Sequence, residues 1–111
     1  STLVGMQEPP LLILTALAGG PRHGYAIIQE VTGISAGRVA LLPGTLYTAL
    51  YRLSAQGLVE HDRDEIVDGR LRRYYRLSTA GVLALDAEAA RLRELATAAE
   101  TRLRSLRPRP A

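Results

Sequence analysis

Two clusters of side chains suited to gripping an anionic polymer stand close together in this sequence. Thr45, Tyr47, Thr48, Tyr51 and Arg52 crowd one segment, and Arg70, Arg72, Arg73 and Arg76 crowd the next. Hydroxyls donate to phosphate oxygens and base edges, and guanidinium forks match phosphate and guanine better than an ammonium does. This is the chemistry of binding rather than of bond making. Only His23 and His61 could move a proton near neutral pH, and neither sits in a nucleophile or metal motif. Two histidines without a cysteine make a poor zinc site, so no metal, cofactor or catalysis is expected.

The elements around these clusters read as follows. A first helix spans about Pro9 to Ala18, with prolines in its first turn and Leu11, Leu12, Ile13, Leu14 and Leu17 making it apolar nearly all round. Gly19-Gly20-Pro21 ends it. A second helix starts at His23-Gly24, sets Tyr25, Ile28 and Val31 on one face and closes at Thr32-Gly33. Val39–Leu42 is expected to be a brief strand before the turn Pro43-Gly44. In the third helix Leu46, Ala49, Leu50 and Leu53 form an apolar stripe, which must face the core. Its opposite side carries Thr48, Tyr51 and Arg52, flanked by Thr45 and Tyr47 near the N-terminus. Gly57 stops it in a left-handed turn.

A hairpin follows. Leu58–His61 reads as a strand, Asp62–Asp68 as hydrated loop or hairpin flank, and Asp68-Gly69 as a tight turn. Leu71, Arg73, Tyr75 and Leu77 then alternate with Arg72, Tyr74 and Arg76, which is the period of a strand with Tyr75 and Leu77 facing the core. Ser78 caps a last helix from Thr79 to about Leu106. Leu85, Leu92, Ala99 and Leu106 recur there every seventh residue, with Leu95, Ala96 and Leu103 between them. Such a seam needs a partner, either a second copy of the helix or the chain's own domain.

The order helix, helix, polar-faced helix, hairpin, helix is that of a winged helix-turn-helix. The fold class is therefore mainly α with a small β-hairpin wing, plus a long C-terminal dimerisation helix. The expected domains are residues 9–77 for the winged unit and 78–106 for the dimerisation helix, with flexible tails at 1–8 and 107–111. Met6 reads as a natural start, and Ser1–Glu8 is left out of the fold. The third helix would enter a DNA major groove by its N-terminal end, and Arg70 and Arg72 at the wing tip would meet the phosphate backbone or a minor groove. Two alternatives stand beside this. Tyr47 and Tyr51 could merely pack against neighbouring helices. The hairpin arginines could pair with Glu60, Asp62, Asp64 and Glu65, although the acids cluster before the turn and the arginines after it.

Composition sets outer bounds. With 111 residues, 47% hydrophobic and 23% charged, the chain can bury one modest core. All 14 basic residues are arginine, which suits phosphate but also fits a GC-rich coding sequence, and a net charge of +3 alone does not establish nucleic-acid binding. No apolar run approaches the roughly 20 residues needed to cross a bilayer, and no basic segment precedes Leu11–Leu17 as in a signal peptide. The absence of cysteine excludes disulfides, and a cytoplasmic location is expected.

The chain resembles the PadR family of bacterial transcriptional regulators. The resemblance rests on His23-Gly24-Tyr25, Gly44-Thr45-Leu46-Tyr47, Tyr51-Arg52-Leu53, Gly57-Leu58-Val59, Asp68-Gly69-Arg70, Arg73-Tyr74-Tyr75-Arg76-Leu77 and Thr79–Gly81, and it covers roughly Pro9 to Leu103. It implies a homodimer that exchanges C-terminal helices and represses by binding a palindromic operator, usually released by a small molecule. The single short C-terminal helix is similar to the smaller, drug-sensing subgroup. With that resemblance, the expected DNA-binding residues are His23, Tyr25, Gly44, Thr45, Tyr47, Thr48, Tyr51, Arg52, Gly69, Arg70, Arg72 and Arg73. The expected dimer contacts are Leu11, Leu14, Leu85, Leu92, Leu95, Ala96, Ala99 and Leu103. Two departures stand out: Thr48 replaces a proline common among relatives, and Ser54 an acidic residue. No aromatic lies in the last helix, where drug-sensing relatives stack flat ligands, so the identity of any effector is unreadable. The rival function is a winged-helix protein-interaction module without DNA binding, since fold alone does not fix function.

Overall fold

The computed structural model describes residues 6–107. In chain order the elements are α1 (Glu8–Ala18), β1 (Arg22–His23), α2 (Gly24–Ile34), α3 (Pro43–Ala55), β2 (Val59–Val67), β3 (Arg70–Leu77) and α4 (Thr79–Leu106). The three strands form one antiparallel sheet in the order β1-β3-β2. The architecture is a winged helix-turn-helix with a long last helix, as expected.

α1 is the centre of the head. Leu12, Ile13, Leu14, Ala16 and Leu17 are all buried, which explains why the segment is apolar on every side. Arg22 Nε donates to the Ala16 carbonyl at 3.0 Å and so closes the C-terminus of α1. Leu14 is 0% exposed, so it has no surface left for a second chain. Its expected place in a dimer contact is wrong, because the core of the chain itself consumes that face.

α2 departs from expectation at Tyr25 and in length. Its buried face is Gly24, Ile27 and Val31, while Tyr25 is 66% exposed. The expected face of Tyr25, Ile28 and Val31 shares Val31 with this one, and Ile28 is partly buried against the core, so Tyr25 is the residue that the expectation misplaces. Thr32 and Gly33 do not end the helix. Thr32 Oγ1 donates back to the Ile28 carbonyl at 3.0 Å and stays helical. The stop comes at Ala36 and Gly37, with φ +53° and +80°. Buried Ser35 then turns the chain, its hydroxyl donating to the Val31 carbonyl at 2.8 Å and accepting from the Val39 N–H at 3.0 Å. Val39–Leu42 is not a strand. It has no strand beside it to pair with and serves as the extended lead into α3.

α3 buries Leu46, Leu50 and Leu53 on the predicted stripe. Gly57, φ +76°, ends it: the Gly57 N–H donates to Ser54 and the Leu58 N–H to Leu53, both at 3.0 Å. β2 and β3 close through Asp68-Gly69, both with positive φ, as a two-residue hairpin turn requires. The strand β2 is longer than expected and takes in Asp62–Val67 as hairpin flank.

α4 is tied to the head only at its start. The Ser78 hydroxyl accepts from the Gly81 N–H at 3.0 Å and donates to the Gly57 carbonyl at 2.6 Å. Gly81 lies so close that a Cβ would collide with the Leu58 carbonyl oxygen. Ala84 and Glu88 are the next buried positions, and among the described residues none beyond Glu88 is buried. Glu88 accepts from Arg91 Nε and, at 3.0 Å, from the Met6 N–H. Its carboxyl is held below the usual range by the Arg91 guanidinium first, with the Met6 hydrogen bond adding to this. Residues 6–8 are therefore not a free tail: Met6 is fastened to α4, and Glu8 begins α1. Of the rest of the expected tails, Arg107 caps α4 and is exposed, and residues 1–5 and 108–111 lie outside the described residues.

Candidate nucleic-acid interface

The buried stripe of α3 forces its remaining residues outward. Gly44, Thr45, Thr48, Tyr51 and Arg52 are exposed, Tyr51 by 76%. The described residues give Arg52 no ion pair. This leaves one guanidinium, Arg52, in the last turn of α3 and a face of hydroxyls that begins at its N-terminal end. The backbone N–H groups of a first helical turn add a partial positive charge there.

Tyr47 packs against α2, one of the two readings that the sequence left open, and keeps an exposed side. It is 52% exposed, yet its hydroxyl lies where a Cβ on Gly24 would come within 2.5 Å of it. Gly24 is needed because the ring crosses the first turn of α2. Burial, followed by the nearby Tyr47, raises the pKa of Tyr75 on β3. Tyr51 packs on nothing comparable and is a surface group.

His23 is a helix cap as well as a surface candidate. Its Nδ1 accepts from the Ala26 N–H at 3.4 Å, and its ring stands edge-on to Tyr74 with centroids 5.3 Å apart. Burial first, then Arg72, lowers its pKa, with Glu65 opposing. Tyr25 projects from the turn that follows. Neither sequence periodicity nor turn signals disclosed β1, whose two residues pair with Tyr75 and Tyr74 of β3 and bring His23 to the base of the wing.

The arginines of the hairpin divide into two sets. Arg76 donates to Glu60 at 3.0 Å and Asp62 at 2.9 Å, and Arg73 lies 3.5 Å from Asp64. Arg70 and Arg72, next to Gly69 at the tip, are exposed and make no ion pair among the described residues. The acid-pairing alternative thus holds for Arg76 and in part for Arg73, but not for the tip. Arg63, which sequence reasoning passed over, donates to Asp62 and Glu65 and covers the Tyr74 ring at 4.0 Å.

On α4 the seam is open to solvent in the single chain. Leu95 is 60% exposed and Leu103 55%, and Ala96 and Ala99 are also exposed. Leu92 is partly covered, Leu85 is half-buried against the chain's own head, and Leu11 is half-buried.

A three-helix head with a basic-tipped hairpin and a long unsupported helix is the form of a winged-helix regulator. Residues 13–87 match the model of the family described as the transcriptional regulator PadR-like family. The chain is 42% identical over 86 residues to the transcriptional regulator Rv3488 of Mycobacterium tuberculosis, covering 78% of this chain and 77% of that protein. A PadR-like transcription factor of Bacteroides fragilis superposes with a TM-score of 0.70 at 28% identity, over 84% of this chain and 87% of that one. PadR of Bacillus subtilis in complex with operator DNA shares the fold, with a TM-score of 0.64 at 18% identity over 95% of this chain and 50% of that one. The protein belongs to the PadR-like family of transcriptional regulators. No helix among its described residues is long and apolar enough to cross a membrane.

Proposed function

We propose that this chain is a sequence-specific DNA-binding regulator that acts as a homodimer in the cytoplasm and represses at a palindromic operator. The observation that carries the reading is the exposed polar face of α3 lying on the same head as two unpaired arginines at the hairpin tip. Thr45, Thr48, Tyr51 and Arg52 would meet base edges and phosphates in the major groove. Arg70 and Arg72 would follow the backbone or enter a minor groove, with Gly69 letting the turn approach closely. The complex of Bacillus subtilis PadR with operator DNA supports the use of this fold on duplex DNA.

Two-fold symmetry follows from α4. A helix with exposed leucines at seam spacing is completed most simply by its own copy, and two heads related by a dyad read an inverted repeat. A hollow of about 530 Å³ beside the first turns of α4, lined by Leu17, Leu77, Val82 and Leu85, leaves room for an apolar effector as well as for a partner helix. No aromatic ring lies on α4, so an aliphatic ligand suits this region better than a flat one.

The test is selection of bound sequences from a pool of random duplexes. The proposal expects enrichment of an inverted repeat with half-sites about one helical turn apart or a multiple of it. No enrichment, together with binding that does not weaken as salt rises, would leave a protein-interaction module as the better reading.

A further inference from the structure

The strands of the hairpin are unequal. β2 has nine residues and β3 has eight, and the pairing steps from His61 opposite Tyr75 to Arg63 opposite Tyr74. Asp62 is the extra residue, held in a β-bulge. Pairing without the bulge would set Arg63 opposite Arg73 and Ile66 opposite Arg70. With it, Asp64 faces Arg73, Glu65 faces Arg72, and Val67 meets Arg70 across the two-residue turn. One residue of slip therefore decides whether like charges confront each other and whether Asp68-Gly69 can close the tip.

The side chain of Asp62 holds that register. It keeps 17% of its surface exposed on an otherwise open hairpin and takes Arg76 of the partner strand at 2.9 Å and Arg63 at 2.8 Å. Arg63 in turn lies over the Tyr74 ring, 4.0 Å from its centroid, and reaches Glu65 at 3.3 Å. Glu65 is thus engaged by Arg63 although it faces Arg72 in the ladder. Glu60, Asp62, Asp64 and Glu65 are all engaged by Arg63, Arg73, Arg76 or His61, whereas Arg70 and Arg72, with Asp68 in the turn beside them, make no ion pair among the described residues.

We infer that Asp62 is a positioning residue for DNA binding: by pinning the bulge and engaging Arg63 and Arg76, it keeps Arg70 and Arg72 unpaired and aimed outward. The inference rests on the DNA-binding reading above. It also runs against simple electrostatics, by which deleting an acid beside DNA should strengthen binding.

Asp62→Ala and Asp62→Asn carry the same charge, so comparing them separates position from charge. The asparagine amide oxygen can still accept from one arginine, whereas alanine accepts from none. Anisotropy titration of the full chain with a random-sequence duplex, repeated over several salt concentrations, is the measurement. Asp62→Ala is expected to bind about 3- to 10-fold more weakly than wild type, with a log-affinity against log-salt slope shallower by about one phosphate contact per wing. Asp62→Asn should fall between the two. Equal behaviour of the variants, or affinity of Asp62→Ala at or above wild type, overturns the inference while leaving DNA binding intact. Absence of salt-dependent binding by the wild type overturns both. Circular dichroism confirms that the head remains folded, and Asp62→Thr, which suits extended backbone, replaces the alanine variant if that one melts.

Discussion

Placing glutamate at both Leu92 and Leu95 is expected to separate the dimer without harming the head. In the single chain Leu92, Leu95, Leu103 and Leu106 are 38%, 60%, 55% and 78% exposed. Fully burying a leucine is worth roughly 1.5–3 kcal/mol, so covering what remains of these four is worth on the order of 1 kcal/mol each. Four leucines on each of two helices give roughly 8 kcal/mol, against an association cost of about 4–15 kcal/mol. The margin is narrow even before other contacts are added. The double substitution would remove four leucines from the assembled seam and require four carboxylates to shed water there. Glutamate is nearly as good a helix former as leucine, and neither position belongs to the head's core, so circular dichroism should retain the winged unit. Sedimentation velocity should show a dimer for the wild type and a monomer for the variant. A variant that still sediments as the same dimer refutes the α4 seam as the interface.

Other outcomes follow from the same geometry. Thr48→Ala should reduce operator binding by about 1–3 kcal/mol while leaving random-DNA affinity and dimer mass unchanged, as read by competitive titration. Gly81→Ala should lower the midpoint of thermal unfolding, because its Cβ has no room beside the Leu58 carbonyl; an unaltered midpoint would show that α4 is not seated there. His23 is depressed below its ordinary value of 6.5 by burial, so the folded state disfavours its proton. The unfolded chain then binds more protons, and stability should decline as pH falls below about 6.5. His23→Asn, which keeps a cap at α2, should remove that part of the decline in denaturant midpoints measured across pH.

How much of this was legible in the sequence depended on whether a signal was local. The α3 stripe at Leu46, Leu50 and Leu53 is set by helical period, and Gly57, Ser78 and Asp68-Gly69 announce their own backbone chemistry. What escaped was decided by partners distant in the chain. β1 is two residues long and exists only because β3 offers an edge to Arg22 and His23. The bulge at Asp62 is a property of pairing, invisible in either strand alone. Val39–Leu42 has strand-like residues but no neighbour, and Leu14 fits an interface in pattern yet is consumed by the core. Met6 carries no local signal of its anchor, and only the fold reveals the Glu88 carboxylate that holds it. Within the candidate site, the polar face of α3 was readable, whereas the division of the arginines into engaged and free sets required the hairpin register.

The most direct test of the central account is the salt dependence of duplex binding by wild type and by the Arg70→Ala, Arg72→Ala double variant. Each phosphate contact contributes about 0.9 to the slope of log affinity against log salt, and two arginines on each of two wings make up to four contacts. The account predicts a variant slope shallower by about 2–4, operator and random DNA weakened by similar factors, and an unchanged melting curve because both side chains are exposed. A double variant that binds with the wild-type slope would contradict it, leaving the hairpin without a role on DNA.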